Sequence, residues 1–276
     1  MNRIDALFSR LRSEGRRALM PFLTAGDPNL ETTMALVRNC LGAAGAHLVE
    51  LGIPYSDPIA DGPVIAASYN RALLHGIKLD AILSAVHAWR QENGQDPKQK
   101  DAPLVTMVSF SIVHRHGVDR YVSEAAAAGV DGLIVPDLPI EEAEKLEKRV
   151  AAEQLKLIQL VTPTTPKERA IRIAKSSTGF LYYVSVAGIT GERTQLPPDL
   201  ADKVGWLRSQ TDIPICIGFG ISKPEHVRQL APVADGLIIG SAIVRRIHDL
   251  NEQGASREAV VQDIGQFVAE MVKALG

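Results

Sequence analysis

Apolar residues along this chain gather in short dense runs separated by stretches with a different rhythm. Eight runs recur: ALMPFLTAG at 18–26, HLVELGI at 47–53, PLVTMVSF at 103–110, GLIVPD at 132–137, LKLIQLV at 155–161, GFLYYVSV at 179–186, IPICIGFG at 213–220 and DGLIIGSAI at 235–243. Such density is expected of parallel strands covered by helices, whereas an antiparallel sheet with a wet face alternates apolar and polar positions more cleanly. Helical periodicity falls between them, at 29–44, 64–74, 79–91, 119–128, 141–153, 167–176, 201–209 and 224–230, with 259–274 closing the chain. Successive strand starts are mostly one βα unit apart, and the one double step, after the second strand, holds an additional helix. The pattern predicts an α/β fold: a TIM (β/α)8 barrel with an N-terminal helix and additional helices after strands 2 and 8, with 1–276 as one domain. An open doubly wound sheet is the competing arrangement. GFGIS at 218–222 argues against it, lacking the third glycine of a dinucleotide fingerprint and falling late in the chain.

Composition narrows the function classes. Of 276 residues, 46% are hydrophobic but only 5% aromatic, so a sizeable core is available and must be mainly aliphatic. The 30 basic and 32 acidic residues give a net charge of −2 with no long block of either sign, which leaves no electrostatic footprint for nucleic acid or an anionic membrane. Cys40 and Cys216 have no metal-ligand spacing around them and read as lone small apolar residues in a reducing compartment. No run approaches a membrane span, and the amphipathic start MNRIDALFSRLRSEGRR is unlike a secretion signal, so the cytoplasm is the expected location. QENGQDPKQKD at 91–101 reads as a surface loop at the bottom of the barrel.

Chemistry is expected on the opposite, upper loops. In HLVELGIP, alternation turns Leu48 and Glu50 into the barrel and Val49 and Leu51 towards the helices. A carboxylate at the upper end of a barrel strand is costly unless solvated, hydrogen-bonded or used, and burial raises its pKa towards the range useful for moving protons. It is either catalytic or a buried structural group. The following loop, PYSDPIADGP at 54–63, sets Asp57 and Asp61 among three prolines and a glycine. Asp61 or Gly62 is placed to cap a helix opened by Pro63, and Asp61 is equally placed to face a substrate. Asp57 reads as a loop-fixing group or part of a partner surface.

Further along, FLYYVSVAGITGERTQLPP at 180–198 combines a strand with a polar loop pivoting at Gly188, Gly191 and Pro197-Pro198. It is either a lid that could bring Thr190 towards an acidic side chain or an ordinary mobile surface loop. Of Tyr182 and Tyr183, only one can face the interior. GFGIS and IIGSAIV end strands 7 and 8 with small residues, where barrels commonly hold phosphate on backbone amides, so Gly218, Gly220, Gly240 and Ser241 are candidates, together with Gly191. As isolated dipeptides they read only as tight turns. The seven histidines form no HExxH or other metal set and read as surface or helix-cap residues, and no GxSxG or Walker motif is present. Acid-base chemistry on a small phosphorylated substrate is the positive reading.

These residues resemble a known family, the tryptophan synthase alpha chain. VELGIPYSDPIADG at 49–62 matches its signature throughout, supported by PFLTAGDP (21–28), GLIVPDLP (132–139), VSVAGITG (184–191), GFGIS (218–222) and GSAIV (240–244). The resemblance implies a lyase of tryptophan biosynthesis that cleaves indole-3-glycerol phosphate to indole and D-glyceraldehyde 3-phosphate by a retro-aldol step. It implies that Glu50 moves protons at indole C3 and the glycerol hydroxyl while Asp61 holds the indole N–H. Phe22, Tyr182 and Phe219 would line the indole pocket, Thr190 would orient Asp61, and Gly191, Gly220, Gly240 and Ser241 would grip phosphate. Asp57 and Asp137 would meet the partner, a pyridoxal-phosphate beta chain in a complex of two alpha and two beta chains. This chain itself is expected to need neither metal nor organic cofactor. The sequence departs from the family after strand 3, where Ser109, Ser111 and Ile112 stand in place of an aromatic and an Asn-Pro, and in the lid, where Val186 replaces a frequent Arg. A different phosphate-binding barrel enzyme, a nicotinamide-dependent enzyme and a non-catalytic activator of the beta chain are the alternatives. The first should lack the 49–62 run, the second needs a GxGxxG after its first strand, and the third has no use for an acid pair with a phosphate corner.

Overall fold

The computed structural model describes residues 1–58, 61–92, 96–184, 199–218 and 220–276, with only the backbone of Pro97 and Lys98. Its centre is a closed ring of parallel strands: β1 (Ala18–Thr24), β2 (Val49–Gly52), β3 (Leu104–Met107), β4 (Gly132–Ile134), β5 (Lys156–Ile158), β6 (Leu160–Val161), β7 (Leu181–Val184), β8 (Ile215–Gly218) and β9 (Gly236–Ile239). Each pairs with its sequence neighbour except β5 with β6, and β1 pairs with β9. The predicted fifth strand is thus in two pieces. β5 bonds to β4, the Gln159 amide turns aside to donate to Ser177 Oγ at 3.0 Å, and the Gln159 carbonyl accepts from Tyr182 of β7 at 3.0 Å. One residue of redirection closes the barrel.

Period-two alternation divides the strand residues between two cores. Ala18, Met20, Phe22, Leu48, Val105, Met107, Ile134, Ile158, Tyr182, Cys216 and Ile238 fill the barrel, while Leu19, Leu23, Val49, Leu51, Leu104, Leu133, Tyr183, Ile217 and Leu237 pack outwards under the helices. Helix α1 (Arg3–Ser13) belongs to the inner core. It buries Ile4, Leu7, Phe8 and Leu11 across the bottom of the barrel, with Phe8 and Phe180 rings 5.9 Å apart. Asn2 starts it, its side chain accepting from the Ile4 amide at 2.8 Å, a cap worth about 1 kcal/mol.

The outer helices follow the strands in order: α2 (Leu30–Leu41), α3 (Pro63–Leu74), α4 (Leu79–Glu92), α5 (Pro97–Lys100), α6 (Phe110–His116), α7 (Val118–Ala128), α8 (Ile140–Ala152), α9 (Lys167–Ser176), α10 (Leu200–Arg208), α11 (Pro224–Leu230), α12 (Ser241–Glu252) and α13 (Arg257–Lys273). Two pairs, α3 with α4 and α12 with α13, are the additional helices expected after the second and eighth strands. Two pieces, α5 and α6, are new, and α12 begins earlier than the apolar run suggests. α5 is a single turn inside the polar 91–101 stretch, α6 starts inside the apolar run 103–110, and α12 takes over the end of the run 235–243. In the last two cases a helix begins directly on the strand's own apolar run, so composition gives no boundary.

Candidate active site

The upper end of the barrel holds a cavity of about 460 Å3 including its mouth, lined by Phe22, Glu50, Asp61, Ile65, Met107, Tyr182, Gly220, Ile221, Ile238, Gly240, Ser241 and Ala242. β2 delivers Glu50. Its backbone is locked between β1 and β3, in register with Phe22 and Val105, and its side chain is 1% exposed with neither carboxylate oxygen hydrogen-bonded among the described residues. A charged carboxylate in that state is strongly disfavoured. Burial, reinforced by the nearby Asp61, pushes Glu50 up to about 8.

Asp61 arrives from the loop after β2. Its amide donates to the Pro58 carbonyl at 3.2 Å, and its side chain leaves the helix alone: the N-cap of α3 is Gly62 with Pro63 behind it, and no side chain caps the helix. The capping role open in the sequence therefore does not operate. Instead Asp61 Oδ2 accepts from the Tyr55 hydroxyl at 3.0 Å. Burial raises Asp61 to about 6, against the lowering effect of the Tyr55 bond and with a smaller push from Asp137. Two carboxyl groups in one cavity, held one above and one below neutrality, can act as proton donor and as anion at the same pH.

Across the cavity lies an amide-rich wall. α12 begins at Ser241 with Gly240 as its N-cap and no side-chain cap, so its first amides are free to take an anion. Gly220 has φ +79°, a conformation only glycine holds without strain. A Cβ at Gly240 would make ordinary contact with Phe22 at 3.6 Å, so packing does not demand glycine there and the missing side chain leaves room beside the amides. At Gly218 the reason is different, since a Cβ would fall 2.3 Å from the Tyr182 hydroxyl. That glycine accommodates the tyrosine.

A family model described as tryptophan synthase alpha chain matches residues 8–275. The alpha chain of Rhodopirellula baltica is 55% identical over 282 aligned residues, covering 100% of this chain and 99% of that one, and that of Chloroflexus aggregans is 46% identical, covering 96% and 97%. The chain belongs to the tryptophan synthase alpha chain family. Among solved structures, the Legionella pneumophila alpha subunit superposes with a TM-score of 0.89 at 35% identity, covering 100% of this chain and 98% of that one. A chain of the tryptophan synthase complex of Pyrococcus furiosus gives 0.81 at 34%, covering 94% and 98%. As a tryptophan synthase alpha chain, this protein is a carbon–carbon lyase that carries out the alpha reaction of tryptophan biosynthesis.

Against that background the expected alpha-chain site residues can be located one by one. Glu50, Asp61, Phe22, Tyr182, Gly220, Gly240 and Ser241 line one cavity. Thr190, Gly191, Phe219 and Val186 lie outside the described residues. Asp57 is exposed, its Oδ2 accepting from Ser56 Oγ at 2.7 Å. Asp137 is also exposed and holds the start of α6, accepting from Ser109 Oγ at 2.6 Å and the Phe110 amide at 2.8 Å. Ser109, which departs from the family pattern, thus has a definite partner.

Sequence reasoning missed Tyr55, Ile65, Met107, Ile221, Ile238 and Ala242. Alternation could have found two of them: Met107 follows inward-facing Val105 by two, and Ile238 precedes Gly240 by two. His226 is buried rather than at the surface. It does serve a helix end, its Nδ1 accepting the Ser222 amide at 3.3 Å ahead of α11. Asp80, His116 and Glu124 gather within 4.8 Å of one another away from the cavity, with Arg120 already paired to Glu124 at 2.7 Å. No described helix is long and apolar enough to cross a membrane.

Proposed function

We propose that Glu50 and Asp61 carry the proton chemistry of a retro-aldol cleavage of indole-3-glycerol phosphate to indole and D-glyceraldehyde 3-phosphate. The observation that carries this reading is the pair itself. One buried carboxyl without a partner is held protonated near neutral pH, facing the same cavity as a second that is ionised there. Glu50 as an acid delivers a proton to indole C3, breaking the ring's aromaticity, and Asp61 accepts the indole N–H and favours the resulting cationic ring. The carboxylate left on Glu50 then takes the proton of the glycerol hydroxyl as the C–C bond breaks, its electrons returning to the ring. Protons and electrons balance within the substrate and one carboxyl, so the electron sink is the indole itself and this chain is assigned no cofactor of its own.

Phe22 and Tyr182 give the ring apolar walls, with Phe219 assigned to the same pocket. Gly220, Gly240 and Ser241, with Gly191, receive the phosphate, and Thr190 is assigned to Asp61 on the closed lid. Asp57 and Asp137, exposed on the same rim, are assigned to the beta chain, which supplies pyridoxal phosphate in a complex of two alpha and two beta chains. The whole of 1–276 is one catalytic domain working in the cytoplasm.

The test is indole release from indole-3-glycerol phosphate with and without beta chain, comparing wild type, E50Q and D61N across pH. The reading expects a bell-shaped kcat/KM with limbs near 6 and 8. Full turnover in both variants would overturn the proton assignments, and no wild-type turnover even with beta chain would overturn the function.

A further inference from the structure

We propose that Tyr55 is a positioning residue of this site: its hydroxyl occupies one oxygen of Asp61 and holds that carboxylate turned so that the other oxygen is left for the substrate's ring nitrogen. The inference rests on the function proposed above. Its geometric basis is a short closed circuit on one loop. The segment leaves β2 with the Ile53 amide bonded to the Met107 carbonyl at 2.8 Å and ends at Gly62, the cap of α3. Between those anchors the Tyr55 ring turns inward, 9% exposed, and packs on Tyr69 of α3 with centroids 5.4 Å apart and planes tilted by 48°. Tyr69 is fully buried, so the ring beneath Tyr55 is a fixed platform. From it the hydroxyl reaches Asp61 Oδ2 at 3.0 Å, and among the described residues no other donor bonds to that carboxylate.

The surroundings make this one bond matter. Among the described residues, the titratable groups that face Asp61 are Tyr55 on its own loop, Glu50 of β2, Tyr69 of α3, Asp137 beyond β4 and Tyr182 of β7. Each is acidic or neutral, and burial also works against the ionised form. The Tyr55 bond is the contribution in the other direction. Burial and the adjacent carboxylate push the Tyr55 phenol far above its usual range, so it stays a donor throughout the working pH. A bond that favours one protonation state and fixes one rotamer contributes to both affinity and pH dependence.

Y55F removes the hydroxyl and keeps the ring on Tyr69. The acid limb of kcat/KM, assayed with beta chain, is expected to move up by about one pH unit, with KM raised and the kcat plateau above that limb retained. A second readout needs no turnover: the 13C carboxyl titration of Asp61, assigned by its loss in D61N, should move upward by the same amount. A uniform drop in activity at every pH, with the Asp61 titration unmoved, would show that Tyr55 merely packs and would overturn the proposal. Wild-type protein that releases no indole would instead overturn the function on which it rests, whatever the titration shows.

Discussion

The carboxylates under the barrel floor and the two that line its cavity are buried in opposite ways. At the bottom, Asp131 ahead of β4 receives Arg3 at 2.9 Å, Arg90 at 2.8 Å and the Leu104 amide at 2.9 Å. Asp235 ahead of β9 receives Arg208 at 2.7 Å and the Ile215 amide at 2.9 Å. Every oxygen there is met, and the charges staple one strand to the next. In the cavity, Glu50 is buried as deeply with neither oxygen met among the described residues, and Asp61 has one oxygen met by a neutral hydroxyl. The same chemical group is a structural tie under the floor and a poised reagent in the cavity. What differs is whether the sequence supplies a cation and an amide within reach.

Three substitutions would break or sharpen that contrast. The largest effect is expected for E50Q, which should cut indole release by about 10²- to 10⁴-fold while leaving the fold intact. D131A should do the reverse. It strands the buried Arg90 and should cost about 3–5 kcal/mol in urea unfolding, with activity per folded molecule preserved. Stability against pH separates the two sites further. Glu50 has its folded pKa raised to about 8 from an ordinary 4.5, so the folded state binds its proton more tightly than the unfolded chain does. Stability from this group is therefore full below about 4.5 and is lost as pH rises to 8. E50Q should gain on wild type over that window by an amount on the order of a few kcal/mol, measurable as diverging urea midpoints. An E50Q protein less stable than wild type at pH 9 would contradict the orphaned state of the carboxylate. Smallest is G218A, which forces the Tyr182 ring aside and should cost about 1–3 kcal/mol while weakening substrate binding, read as lowered stability with raised KM.

The contrast also explains what could be read from residues alone. Strand positions were legible because parallel strands carry dense apolar runs, and alternation, a property of the backbone, turned Glu50 to the inner face, whereas Phe22 and Tyr182 entered the pocket only through the family resemblance. The helix starts at Phe110 and Ser241 were not, because both sit within apolar runs that a strand would also use. Gln159 gave no sign that it redirects a strand, since its effect depends on Ser177 and Tyr182, which are distant in sequence. The fate of Asp61 was open for a similar reason. A cap and a substrate ligand ask for the same residue type at the same place, and only the fold shows that Gly62 is the cap while Tyr55, six positions earlier, bonds the side chain. Loop side chains meet through loop shape, which leaves no period in the sequence.

Helix α1 has a consequence for traffic. By seating Ile4, Leu7, Phe8 and Leu11 across the floor of the barrel it makes the interior a cul-de-sac. Among the described residues the floor is filled, so the cavity faces the upper rim that also carries Asp57 and Asp137.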